Sequence, residues 1–309
     1  MQRSTMEHIE GVKQFLRQMG SVQPASVEEA REQQAAALAS LPRLKETIVQ
    51  PVHAAGMRAE WVSMPNVSAD EPGVVLYMHG GAFMTGSCET HRDLAARIAQ
   101  ASGKRVLIFE YRLAPEHLFP AANEDCLAAY RWLLQEGITS EHIVLGGESV
   151  GGYLAIATLL SLRDANEPLP AAAFLLSPHT DLLHFDNATY ELNAAVDPLG
   201  SRESSRLCAA IYTGMERSND PQLCPVEADL QGLPPLLVHV GSDEVLLGEC
   251  QQLAHNIQTA GGAAELVVWD HMWCAFQLMA GVMPEGVESI RQIGEFIQHH
   301  LHIEGERSL

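Results

Sequence analysis

Residues Gly147-Glu148-Ser149-Val150-Gly151 match G-x-S-x-G, a pattern in which a serine hydroxyl is set for attack on a carbonyl. Composition alone produces this pattern in many chains, so its setting decides its meaning. A buried-strand run, 143–146, precedes it and an apolar helical stretch, 151–162, follows it. Glycines on either side allow a sharp strand-to-helix turn without Cβ clashes. The turn lifts Ser149 to a helix N-terminus, where free N–H groups favour developing negative charge. The alternative is an ordinary N-cap serine flanked by packing glycines.

Attack by a serine creates an oxyanion, which needs donors aimed in advance. His79-Gly80-Gly81-Ala82-Phe83 directly follows the apolar run 74–78. A Gly-rich loop lets backbone N–H groups come close to a reacting oxygen, and such a loop works with the residue after the serine. Gly80, Gly81 and Val150 are therefore the expected donors. A plain Gly-Gly turn after a strand is the bland alternative.

Positioning these loops requires a sheet. Continuous apolar runs at 74–78, 105–111, 143–146, 171–176, 236–240 and 264–269 alternate with helical patterns at 90–100, 121–135, 151–162, 248–259 and 286–300. That rhythm predicts a mostly parallel sheet with helices on both faces. Residues 47–53 and 57–63 read as a strand pair. Two helical patterns open the chain, the second capped at Ser26 with Glu29 three residues on. Residues 183–226 break the rhythm with no clear strand, and an insertion this long in such a fold is usually functional. The expected organisation is an N-terminal helical element at 1–45, a main domain at 46–182 and 227–309, and a lid-like insertion at 183–226.

Composition narrows the partners. The 309 residues are 47% hydrophobic, and 19 Lys and Arg face 39 Asp and Glu, a net charge of −20. Such a surface repels phosphate backbones, so no nucleic-acid partner is expected. No apolar run is long enough for a membrane span. Residues 1–10 carry no leader pattern, and the six cysteines show no C-x-x-C spacing, so a reducing, cytoplasmic setting is expected. A homodimer is compatible with all of this.

Four stretches together resemble the bacterial hormone-sensitive-lipase-like family of esterases. They are Tyr77-Met78-His79-Gly80-Gly81-Ala82-Phe83, Tyr111-Arg112-Leu113-Ala114-Pro115-Glu116-His117, the Ser149 elbow, and Gly241-Ser242-Asp243-Glu244. The resemblance implies an α/β-hydrolase fold under a helical cap. It implies cofactor-free hydrolysis of short- to medium-chain carboxylic esters, with Ser149 as nucleophile and Asp243 as triad acid. It also implies that Arg112 and Glu116 support the site structurally. Glu148 and Glu110 stand where the family more often has Asp, and small loop adjustments are expected there.

The departure is the base. The family pattern after the last strand is roughly aromatic-Asp-x-Met-x-His-x-Phe. Aligned on Trp269, Asp270, Met272 and Phe276, its histidine falls on Cys274. An imidazole bridges acid and serine through two nitrogens, whereas a thiol has one sulfur. His271 lies three residues early; it could serve only if the loop forms a helical turn. Catalysis is therefore expected to be impaired, and a lone exchange in an otherwise intact set reads as a recent or deliberate substitution. Two alternatives stay open: a non-catalytic small-ligand receptor, as in plant hormone receptors that resemble this family and lack the same histidine, and a nucleophilic role for Cys274 itself. No metal motif is present, and His299-His300 with His302 reads as a solvated helix end.

Overall fold

Strands β1 (Ile48–Ala54) and β2 (Met57–Ser63) form an antiparallel pair, as their alternating pattern predicts. Strand β2 pairs antiparallel with β4 (Arg105–Phe109). The rest are parallel: β3 (Val74–Met78), β5 (Ile143–Glu148), β6 (Ala172–Leu176), β7 (Leu236–Gly241) and β8 (Ala264–Trp269). The order is β1-β2-β4-β3-β5-β6-β7-β8. The computed structural model describes residues 3–20, 24–65, 67–68, 72–215 and 219–301. His302 lies outside them.

The interior strands β3, β5, β6 and β7 are buried along their whole length, which is why they read as continuous apolar runs. Successive side chains still face opposite ways. Ile143 and Leu145 join one core with residues of α4 (Ala121–Gln135), α5 (Val150–Asp164) and α8 (Leu247–Thr259). Val144 joins the other, with residues of α3 (Cys88–Ser102) and α9 (Pro284–Leu301).

Helix α1 (Met6–Gly20) sets Ile9, Val12 and Leu16 against Met272, Trp273, Phe276, Met279 and Met283, so it braces the loop after β8. Helix α2 (Val27–Ala39) is capped by Ser26, whose hydroxyl accepts the Glu29 N–H at 3.2 Å. Glu29 reaches back one residue further than expected, to the Ala25 N–H at 2.6 Å. The insertion holds α6 (Thr189–Leu192) and α7 (Arg202–Tyr212). Tyr212 stacks on Phe83 of the His-Gly-Gly loop with centroids 3.7 Å apart, so α7 rests on that loop.

Candidate active site

The stretches singled out by the sequence leave the carboxyl ends of β3, β5, β7 and β8, the edge at which ligands bind in parallel α/β sheets. Ser149 has φ 55° and ψ −120°, a strained conformation for a residue with a Cβ. The elbow is pinned on both sides. The Ser149 N–H donates to Leu176 O at 2.9 Å, and its carbonyl accepts the His179 N–H at 3.2 Å. A Cβ on Gly151 would lie 2.1 Å from Met78 O, so only glycine lets α5 start this close to β3.

The oxyanion loop differs from expectation at one donor. The Gly80 N–H is taken up by the Glu148 carboxylate, so it is not free to meet an oxyanion. The N–H groups of Gly81, Ala82 and Val150 have no protein acceptor among the described residues. Positive φ at Gly81, Ala82 and Phe83 makes the loop turn back on itself. Two N–H groups to the Met84 and Ala114 carbonyls come from Arg31 of α2, at 2.8 and 3.3 Å, and its guanidinium also grips Glu116 at 2.7 and 2.8 Å. Arg112 in turn holds Asp125 and Glu124 at the start of α4.

Glu148, read from sequence as a longer stand-in for Asp, does more than adjust a loop. Its buried carboxylate accepts from Tyr77 Oη and the Gly80 N–H, and pairs with His91 Nε2 at 2.7 Å. Burial pushes its pKa up, but His91 and the two donors outweigh that and hold it below the ordinary value. One side chain thus ties the elbow to the oxyanion loop. Glu110 is modest by comparison, accepting the Cys88 N–H at 3.1 Å at the start of α3.

Asp243 sits just past β7 with its N–H donating to Met272 O at 3.1 Å, which holds it against the β8 loop. Its partners were not foreseen. Lys13 of α1, buried, donates through Nζ to Oδ2 at 2.6 Å, and Ser242 Oγ donates to Oδ1 at 2.7 Å. Burial raises the Asp243 pKa, but these two bonds and the lysine charge bring it below its ordinary value. Lys13 lies one helical turn after Ile9, and both are buried among the described residues of α1, so a lysine shares the face that Ile9 buries.

The Ser149 hydroxyl is near enough to the Cys274 sulfur to favour its thiolate slightly, but no hydrogen bond joins the two side chains. Burial, then the Glu244 and Asp197 carboxylates, hold the thiol far above its ordinary pKa. A thiol that keeps its proton is neither a base nor a nucleophile. His271 lies nearest Asp243. Its Nδ1 is 3.7 Å from Asp243 Oδ2, its side chain is 50% exposed, and no hydrogen bond joins it to Ser149. Glu244, fully buried, accepts from Ser177 Oγ at 2.8 Å and from the Gly241 N–H, while Oε2 has no partner; burial raises its pKa to about 8.

Fold and site together define a serine hydrolase scaffold, and comparison with known proteins agrees. Residues 75–278 match the α/β-hydrolase fold family. An acetyl-hydrolase of Streptomyces hygroscopicus is 38% identical over 240 residues, covering 78% of this chain and 79% of that protein. The esterase LipU of Mycobacterium tuberculosis is 36% identical, covering 77% and 85%. A crystal structure of an esterase from the bacterial hormone-sensitive lipase family superposes with a TM-score of 0.92 at 39% identity, covering 96% of this chain and 99% of that one. The chain belongs to the bacterial hormone-sensitive-lipase-like family of α/β-hydrolase esterases. No helix among the described residues is long and apolar enough to cross a membrane.

Proposed function

We propose that this chain acts on short- to medium-chain carboxylic esters, with Ser149 as nucleophile and a site that lacks its proton acceptor. The observation that supports it best is the strained elbow that carries Ser149, with a thiol held far above its ordinary pKa at Cys274, the position that aligns with the family's histidine. In this scheme Ser149 Oγ adds to the ester carbonyl. The oxygen that becomes negative meets the N–H groups of Gly81, Ala82 and Val150, none of which has a protein acceptor. Val150 begins α5, so the helix N-terminus adds its partial positive charge. Collapse of the adduct releases the alcohol, and water then frees the acid.

The hydroxyl proton is where the cycle stalls. Asp243 fills the acid position but binds Lys13 and Ser242. Cys274 holds its own proton and offers only a weak sulfur acceptor. Turnover therefore depends on solvent to take the proton, and the oxyanion donors supply what acceleration there is. We further propose that the insertion at 183–226 and the helices of 1–45 form a cap over this edge, supported by the Tyr212–Phe83 stack and by Arg31. The six free cysteines fit a reducing, cytoplasmic setting.

The Lys13–Asp243 pair favours a second reading, a ligand-holding protein without turnover, because it completes the charge balance without an imidazole. Fluorophosphonate labelling followed by mass spectrometry separates the two. The esterase reading expects slow, single modification of Ser149, accelerated in Cys274→His and absent in Ser149→Ala. Labelling elsewhere, or none in Cys274→His, would overturn it.

A further inference from the structure

The loop after β6 and the end of the insertion bring three metal-ligating atoms together. Asp181 Oδ1, His184 Nδ1 and Cys224 Sγ form a closed triangle with edges of 3.2, 3.4 and 3.8 Å. Tetrahedral zinc, with Zn–S about 2.3 Å and Zn–N and Zn–O about 2.0–2.2 Å, demands edges of about 3.3–3.6 Å. We propose that Asp181, His184 and Cys224 form a divalent transition-metal site, with zinc the ion that its donor set fits.

The surroundings are those of a built site. Asp181 and Cys224 are buried while His184 is exposed at the rim, giving a fourth position to water. That rim opens into a pocket of about 910 Å³ lined by His184, Cys224, Arg206 and Glu227. The Leu183 and His184 N–H groups each donate to Asp181 Oδ1 at 2.9 Å, and ligating carboxylates are commonly held this way. The two segments are already fastened: the Leu182 N–H donates to Leu223 O at 2.9 Å, so the ligands are fixed before any ion arrives. A bound cation would take the Cys224 sulfur as thiolate, displacing its proton to solvent. Asp181-x-x-His184 with a cysteine 40 positions on matches no familiar metal motif, which is why the sequence is silent.

Cobalt(II), titrated alone into untagged protein, tests the site. The expected result is one thiolate-to-cobalt charge-transfer band with tetrahedral visible bands, displaced by zinc. Cys224→Ser should abolish the band. His184→Ala changes an exposed side chain and leaves the buried pair intact, so it should fold normally, checked by circular dichroism, and bind cobalt at least about tenfold more weakly. No charge-transfer band in the parent, the same band in Cys224→Ser, or unchanged affinity in His184→Ala would overturn the proposal. Ester hydrolysis is not the readout, so the outcome is independent of the function proposed for Ser149.

Discussion

Replacing Cys274 with histidine should restore the step that the site lacks. A positioned general base contributes about 10²–10⁴-fold, which corresponds to about 2.7–5.4 kcal/mol of barrier. The lower half of that range is expected. Lys13 Nζ at 2.6 Å and Ser242 Oγ at 2.7 Å already engage both Asp243 oxygens, so an imidazole at 274 must share its acid with a bound cation. Cys274→His should thus raise kcat/KM for p-nitrophenyl butyrate by about 10²–10³-fold. It should also introduce an ascending pH limb near the imidazole value of about 6.5, which the parent lacks. Initial rates should be measured across pH beside a Cys274→His/Ser149→Ala control. The reasoning fails if the folded variant gains less than about threefold, far below what a working base supplies. It fails equally if the gain survives removal of Ser149.

Other consequences follow from the same network. Lys13→Met should lower stability by about 1–3 kcal/mol, the figure discounted because Asp243 keeps some solvent contact. Because its pKa is lowered in the folded state, Asp243 adds stability above the ordinary carboxylate range that is lost as pH falls through the folded value. Urea midpoints between pH 3 and 6 should therefore vary less in Lys13→Met. Glu244 has the opposite sign: its pKa is raised from 4.5 to about 8, so its contribution is complete below 4.5 and is lost as pH rises towards 8. Glu244→Gln should flatten that loss in melting temperature between pH 5 and 8. Gly151→Ala, whose Cβ would meet Met78 O, should cost about 1–3 kcal/mol or prevent folding, read from denaturant unfolding. Glu148→Ala should weaken both stability and ester turnover, since it leaves His91, Tyr77 and the Gly80 N–H without their shared acceptor.

The sheet was legible because strands buried on both faces must be apolar throughout. Boundaries slipped both ways: the run 105–111 is strand only to Phe109, while other elements are longer than read where pairing or capping extends them. Strand β5 runs to Glu148 because its ladder with β6 continues to Leu176. Helix α5 starts at Val150, directly after the strained serine. Helix α7 was missed, although Ser201 and Ser204 form a capping box at its start. Ser149, Asp243 and Cys274 are assigned from motif positions in the sequence, and the fold places Ser149 at the strand-to-helix turn after β5 and Asp243 just past β7. Which N–H of the His-Gly-Gly loop stays free was not readable, because it depends on where the Glu148 side chain reaches. Lys13, 230 residues before Asp243, could be suspected as a misfit on an apolar helix face, but its partner is a property of the fold alone.

These contacts bear on why a single position departs from the family while the rest of the machinery stands. Removing an imidazole from a triad leaves its acid as a partly buried carboxylate in need of a donor, and such a group is costly to strand. Here Asp243 is not stranded: a lysine buried by α1 neutralises it, and Ser242 satisfies the other oxygen. Cys274 is likewise stable as it stands, an uncharged thiol beside the Glu244 and Asp197 carboxylates. On the proposed reading, loss of the base therefore need not propagate into a loss of fold, and nothing physical forces Ser149, Gly81 or Val150 to drift with it. What the exchange at 274 removes, on that reading, is proton transfer. The strained elbow and the oxyanion donors are held by β5, β6, Glu148 and Arg31, none of which depends on residue 274.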